Sequence, residues 1–171
     1  MTSKALFVGR FLAVFALLIV LGWISAAPSR YAAALQATAS VVGPPLNGWY
    51  LEQRGRAGGS QELWFRRGTE EMRMQLGLEA LALGMLPLLS LLGATPGLTL
   101  GGVAARAAIG IATLFFLDLL VLLLYPFLVG SPNAFTDIIG TFLGLLTFVG
   151  APVILWFILT FRQLRSVWRL E

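Results

Sequence analysis

The feature that most constrains this chain is an apolar stretch at residues 103–126, VAARAAIGIATLFFLDLLVLLLYP, which contains one carboxylate, Asp118. The hydrocarbon core of a bilayer is about 30 Å thick, and about 20 apolar residues in a helix cross it. Ala107 to Tyr125 supplies that length. An acid at this depth costs about 2.5–3.5 kcal/mol on insertion scales, so we expect Asp118 to face a partner inside the protein.

The composition indicates an integral membrane protein of one domain. The 171 residues are 58% hydrophobic and 12% charged, whereas a soluble domain is about 25% charged. Absence of Cys and His from the sequence excludes disulfides, thiolate nucleophiles, imidazole bases and the usual zinc sites. We therefore expect a non-enzymatic protein without a cofactor. The net charge of +4 fits arginines at lipid headgroups better than nucleic-acid binding.

The pattern predicts an all-α membrane fold with four transmembrane helices and a small external segment between helices 1 and 2. Residues 1–27 form a cytoplasmic N-terminus and helix 1, a signal anchor. A cleaved signal peptide is the alternative, because small residues precede Pro28. Residues 74–171 form three more spans, near 74–96, 103–126 and 135–161, and a short cytoplasmic tail.

The external segment, residues 28–73, is predicted to form a short interfacial helix followed by a β-hairpin. The helix covers Ser29 to Val42, and Gly43-Pro44-Pro45 provides its stop. Two aromatic-rich runs then flank a Gly-rich turn at residues 54–60, which is typical of a hairpin. Four exposed aromatic residues are candidates either for an interfacial belt or for docking a partner: Trp49, Tyr50, Trp64 and Phe65.

Four polar residues are predicted to lie in the outer half of the helix bundle, at depths estimated from a rise of about 1.5 Å per residue: Asp118, Glu79, Thr141 and Thr147. Asp118 then either donates to the Leu83 carbonyl that Pro87 leaves free or accepts from a threonine hydroxyl, in a structural role. The alternatives are polarity for binding a partner, and a proton or cation site shared with Glu79.

A Gly140–Gly144 pair on the fourth span predicts close packing against another helix.

The distribution of basic residues leaves orientation undecided by count, because each side of a four-span topology receives six. The charges that flank spans directly favour both termini in the cytoplasm and the hairpin outside. The residues on the cytoplasmic side are Lys4, Arg10, Arg106, Arg162, Arg165 and Arg169.

The order of parts resembles the exosortase H-associated membrane proteins. Two apolar regions carry the resemblance: Gly77-Leu78 through Leu86-Pro87-Leu88 to Ala94-Thr95-Pro96, and Ala151-Pro152-Val153-Ile154-Leu155-Trp156. It implies a bacterial inner-membrane accessory protein that works beside an exosortase, an enzyme that processes C-terminal sorting signals. Exosortases resemble Cys-dependent transpeptidases, so a chain without Cys cannot be that enzyme.

We therefore predict a non-catalytic accessory or scaffold protein whose partners are membrane lipid and another integral membrane protein, an exosortase in the first instance. The alternative is a small proton- or ion-coupled transporter subunit that uses Asp118 and Glu79. An intramembrane hydrolase is a third class, disfavoured because no nucleophile–base pair is visible.

Overall fold

The computed structural model of the chain describes residues 3–55, 61–74, 81–129 and 134–168. Within these ranges the fold is mostly helical, with one small antiparallel sheet. The helices are α1 (Ser3–Ser25), α2 (Ala27–Asn47), α3 (Met85–Ala94), α4 (Leu100–Val129), α5 (Ala134–Leu145) and α6 (Ala151–Trp168). The strands are β1 (Tyr50–Gly55), β2 (Gln61–Arg67) and β3 (Glu70–Arg73), and a π-helical turn, Leu146–Gly150, joins α5 to α6.

Three helices are long and apolar enough to cross a membrane, over Ala5–Gly22, Leu100–Leu128 and Thr141–Arg165. The predicted second span is not confirmed as a membrane crossing. Residues 75–80 lie outside the described ranges, and α3 has ten helical residues, which is about 15 Å by helix rise. The four predicted spans are thus reduced to three candidate spans in the described part of the chain.

Helices α1, α3, α4 and α6 run in alternating directions through the bundle. A Cβ on Gly93 of α3 would lie 3.2 Å from Val14 of α1, whereas Gly22 of α1 lies near Leu86 of α3. These pairings make α1 and α3 antiparallel. Leu81, before α3, clusters with Leu119 and Leu122 near the C-terminal end of α4.

Toward the other end of α3, Leu88 meets Gly110 of α4. Arg106, near the start of α4, contacts Leu159 of α6. The start of α1 and the end of α6 consequently lie at the same end of the bundle.

The predicted hairpin is present as β1 and β2, and a third strand extends it. Leu51 pairs with Phe65 across the first two strands, and Phe65 pairs with Met72 of β3. Residues 56–60, the predicted hairpin turn, are outside the described ranges. β3 has the sequence EEMR, which lacks the apolar alternation of a strand. Its pairing to β2 decides its conformation.

Helix α2 is longer than predicted, because it continues through Pro44 and Pro45 to Asn47. The predicted stop at Gly43 is wrong. A proline loses one backbone hydrogen bond and disfavours a helical conformation in the residue before it, but Gly43 has no Cβ to clash. Gly48, with φ +74°, ends the helix, and its N–H donates to the Pro44 carbonyl oxygen at 3.0 Å.

The predicted fourth span contains an irregular turn where a continuous helix was expected. At Leu146–Gly150 the hydrogen bonds shift to π spacing, with Ala151 N–H donating to the Leu146 carbonyl oxygen. The next carbonyl group in this pattern is that of Thr147. Its donor would be Pro152, five residues later, which has no N–H. The helix accommodates the proline by widening one turn, which turns the Thr147 carbonyl toward Gly84.

Candidate functional site

The carboxyl group of Asp118 is buried between α4 and α2. Its residue is 1% exposed. The Tyr31 hydroxyl donates a hydrogen bond to Oδ2 at an oxygen–oxygen distance of 2.5 Å. Phe115, one helical turn before Asp118, meets the Tyr31 ring edge to face, with centroids 5.6 Å apart. The ring contact and the hydrogen bond together hold the phenol over the carboxyl group.

Tyr31 lies in the second turn of α2, in the segment that we predicted to rest at the interface as a separate element. The segment crosses α4: Tyr31 contacts Asp118, and Asn47 at the far end of α2 donates to the Leu123 carbonyl oxygen at 2.9 Å. Burial, and then the hydrogen bond to Asp118, raise the pKa of Tyr31 above its ordinary value. The phenol therefore keeps its proton and is the donor in this pair.

The second carboxyl oxygen of Asp118, Oδ1, is fully buried and has no hydrogen-bond partner among the described residues. The predicted bond to the Leu83 carbonyl is wrong. Pro87 does remove a donor there, but the Leu86 N–H turns back and donates to the Leu83 carbonyl oxygen at 3.1 Å. A buried polar atom without a hydrogen-bond partner lowers the stability of the folded state by about 1–3 kcal/mol. The unpaired Oδ1 is therefore a local destabilising feature of the fold.

Neither predicted threonine forms a hydrogen bond with Asp118 among the described residues. Glu79 lies outside the described residues. Thr141 is exposed on α5, and Thr147 is buried in the π turn, 5% exposed. The partner of Asp118 is a tyrosine from α2, so the prediction of a threonine partner is wrong.

Gly144, one of the predicted pair of packing glycines, lies where the α5–π region faces α4. This residue lines a small cavity of about 20 Å³ with Thr147 on its own side and Val121 and Tyr125 of α4 opposite. The α5–π region therefore approaches the C-terminal part of α4 closely here. Gly140 lies one turn earlier in α5.

Two of the four aromatic docking candidates are buried, so the prediction that all four are exposed is wrong. Trp49 is 6% exposed and Phe65 is 4% exposed. The Phe65 ring stacks on Tyr125 of α4 with centroids 5.6 Å apart. The Arg67 guanidinium covers Trp49 at 4.6 Å from the ring centroid. Phe65 therefore attaches the sheet to α4, and Trp49 lies in the same core cluster as residues of α2 and α4.

The opposite face of the sheet is charged and open to solvent. Tyr50 is 58% exposed, and Trp64 is partly exposed beneath the Arg54 guanidinium, 4.9 Å from the ring centroid. Arg54 donates to Glu71 at 2.7 Å and to Glu52 at 3.1 Å. The hydrogen bond from Arg54 holds the pKa of Glu71 below its ordinary value.

A second polar cluster, which sequence reasoning missed, ties α3, α4 and α6 together toward the end of the bundle away from the sheet. Arg106 Nε donates to the Leu159 carbonyl oxygen at 2.8 Å. With the Gln163 amide turned so that its oxygen faces Arg106, that oxygen accepts from Nη2 at 2.7 Å. Trp156 Nε1 donates to Thr95 Oγ1 at 2.8 Å. Arg106, read from sequence only as a marker of membrane sidedness, thus also joins helices, as does Trp156.

No protein-family model, curated protein or solved structure matches this chain. Among the described residues, His, Cys, Asp and Glu form no group of three that could hold a metal ion. Two polar features of the described residues are candidates for a function: the buried pair of Asp118 and Tyr31, and the charged outer face of the sheet.

Proposed function

We propose that this chain is a non-catalytic accessory or scaffold protein of the bacterial inner membrane, associated with an exosortase-type protein-sorting system. In this proposal both termini are cytoplasmic and the sheet lies on the opposite side. The alternating helix directions support placing both termini on one side, because the start of α1 and the end of α6 share an end of the bundle.

The observation that carries the proposal is the division of the sheet into two unlike faces. The inner face buries Leu51, Leu63 and Phe65 against α4, which keeps the sheet at a set position on the helices. The outer face presents arginines and glutamates that already pair with one another, and it exposes Tyr50. Side chains ordered in advance lose less conformational entropy when a partner binds, so this face suits protein recognition.

The outer face also has the residue types of a protein contact rather than of a lipid contact. Four ionic side chains are held in pairs there: Arg54 with Glu71 and Glu52, and Arg66 with Glu52 at 3.4 Å. Tyrosine, tryptophan and arginine are the residues most enriched at protein–protein hot spots. Tyr50, Trp64 and Arg54 provide one of each on neighbouring positions.

The experiment is site-specific photocrosslinking in native membranes, with a photoreactive residue at Tyr50 and a matched one at Phe65. The two positions lie on opposite faces of one hairpin, so the buried position controls for random collision. We expect one major crosslinked product, containing an exosortase-type enzyme, at position 50 and none at position 65. Crosslinks to lipid or to a second copy alone at position 50 would contradict the accessory role.

The non-catalytic part of the proposal has a separate readout. Removal of the chain from cells should reduce processing of C-terminal sorting signals while the exosortase itself remains present. Turnover of a sorting-signal peptide by the purified chain, with no enzyme added, would refute this part.

A further inference from the structure

The buried pair of Asp118 and Tyr31 has a property that the accessory role does not use. One oxygen of the carboxyl group, Oδ2, accepts from the tyrosine at 2.5 Å, and the other, Oδ1, is enclosed without a partner among the described residues. A carboxyl group that served only to join two helices would be expected to use both oxygens, because an unpaired buried oxygen costs about 1–3 kcal/mol.

The surroundings of Asp118 disfavour its charged form. None of the ion pairs between described residues includes it, and those pairs lie on the sheet. Tyr31 of α2 contacts it. The exposed Arg30 adjoins Tyr31 in α2, and Tyr125 lies two turns further along α4; Glu79 is outside the described ranges. A buried carboxylate without a cation costs several kcal/mol, which a bound proton removes.

The tyrosine connects the buried carboxyl group to the surface of the protein. Tyr31 is partly exposed, and it follows the exposed residues Ser29 and Arg30 near the start of α2. Asp118 itself is closed to solvent. A proton that travels between water and the carboxyl group by this route passes through the Tyr31 hydroxyl.

We propose that Asp118 and Tyr31 form a proton-exchange site, in which the buried carboxyl group binds a proton and exchanges it with water through the Tyr31 hydroxyl. On binding, a hydronium ion transfers a proton to Oη and becomes water, while Oη passes its own proton to Oδ2. At the tyrosine one O–H bond forms and one breaks, and the O–H bond broken on the hydronium ion is replaced by the one formed at Oδ2. The tyrosine is unchanged, and the carboxylate becomes a neutral acid. Release is the reverse of these transfers. The site goes beyond a scaffold role and does not depend on it.

The chain is well suited to a direct measurement, because it contains two aspartates, Asp118 and Asp137. Production of the full-length Asp137→Asn protein with aspartate labelled by ¹³C at the side-chain carboxyl leaves one labelled acid. Infrared spectra of this protein in phosphatidylcholine vesicles then report the protonation of Asp118 without any change at the site. Transfer into D₂O follows the exchange of its proton.

We expect a ¹³C-shifted carboxylic-acid C=O band at neutral pH that moves to lower frequency in D₂O. The Tyr31→Phe substitution should keep the band, raise its frequency because the hydrogen bond between Oδ2 and Oη is lost, and slow its exchange by at least about tenfold, the lower side of what a positioned proton donor contributes. Ser40→Ala, which removes an exposed hydroxyl group from the same helix α2, is the matched control and should leave the exchange rate unchanged.

Three results would overturn the proposal. Labelled carboxylate bands alone at neutral pH would show that Asp118 is ionised. An acid band that does not respond to D₂O would show a static structural acid. Equal exchange rates in Tyr31→Phe and the unsubstituted protein would remove the tyrosine from the route. If Tyr31→Phe fails to fold, the first two readouts still decide whether the carboxyl group binds and exchanges a proton.

Discussion

Replacement of Gly84 by alanine tests how closely α3 approaches the π turn. A Cβ at this position would lie 2.9 Å from the Thr147 carbonyl oxygen, 3.5 Å from the Leu81 carbonyl oxygen and 3.7 Å from Pro152 Cγ. The shortest contact is with backbone, which cannot rotate away as a side chain can. Gly84 has φ −59° and ψ −24°, so alanine fits the backbone conformation and the only penalty is steric.

The expected size of the effect is the difference between two terms. Adding a methyl group to a close-packed interior costs about 1–3 kcal/mol. Replacing glycine by alanine in a helical conformation gains about 0.5–1 kcal/mol. Because the obstacle is backbone, we expect a net loss of about 1–2 kcal/mol in the free energy of unfolding, which lowers the folded-to-unfolded ratio by about 5–30-fold.

The assay is unfolding by sodium dodecyl sulfate of protein held in dodecylmaltoside micelles, followed by far-ultraviolet circular dichroism. Gly9→Ala is the matched control, because a Cβ on Gly9 in α1 would meet no other atom within 4 Å. It should be neutral or stabilising by up to about 1 kcal/mol. If Gly84→Ala proves as stable as the unsubstituted protein, the approach of α3 to the π turn is not as close as the structure has it.

Two further predictions concern the sheet. Because the bond from Arg54 lowers the folded-state pKa of Glu71 below its ordinary value of 4.5, the pair stabilises the sheet above that value, and the stabilisation is lost as pH falls through the lower folded-state pKa. An acid titration of tryptophan fluorescence should show this loss, and Glu71→Gln should flatten it; an identical titration in the variant would count against the pair. Phe65→Ala removes a ring that is 4% exposed and stacked on Tyr125, so we expect about 3–5 kcal/mol of destabilisation in the same detergent assay. Tyr50→Ala, at 58% exposure, should change stability by no more than about 0.5 kcal/mol, and equal losses in both variants would show that the sheet does not rest on Phe65.

The hairpin illustrates where sequence reasoning succeeds and where it stops. Two aromatic-rich runs around a glycine-rich turn predict two paired strands, and β1 and β2 are found. The same pattern does not say what the aromatic residues cover. The sequence made Trp49 and Phe65 candidates for an interfacial belt or for docking a partner, whereas both are buried in the chain's own core, Phe65 against Tyr125 of α4.

The site at Asp118 shows the same limit. The position of the acid in a long apolar stretch predicted that it must face a polar group inside the protein, and it does. Its partner, Tyr31, lies 87 residues earlier, in an alanine-rich segment with no charge pattern that points to α4. Contacts between residues so far apart depend on how helices cross, which local spacing does not encode.

The sequence by itself determined the membrane class, because a chain with half the usual charge cannot cover a soluble surface. It also determined a long apolar helix carrying Asp118, because length and hydropathy are local properties. The tertiary structure alone decided that α2 packs on α4, that Gly84 packs against the π turn, and that the sheet is attached to α4 by one face. Each of these depends on shape complementarity between segments distant in sequence, and close packing distinguishes among arrangements that the same hydrophobic pattern permits.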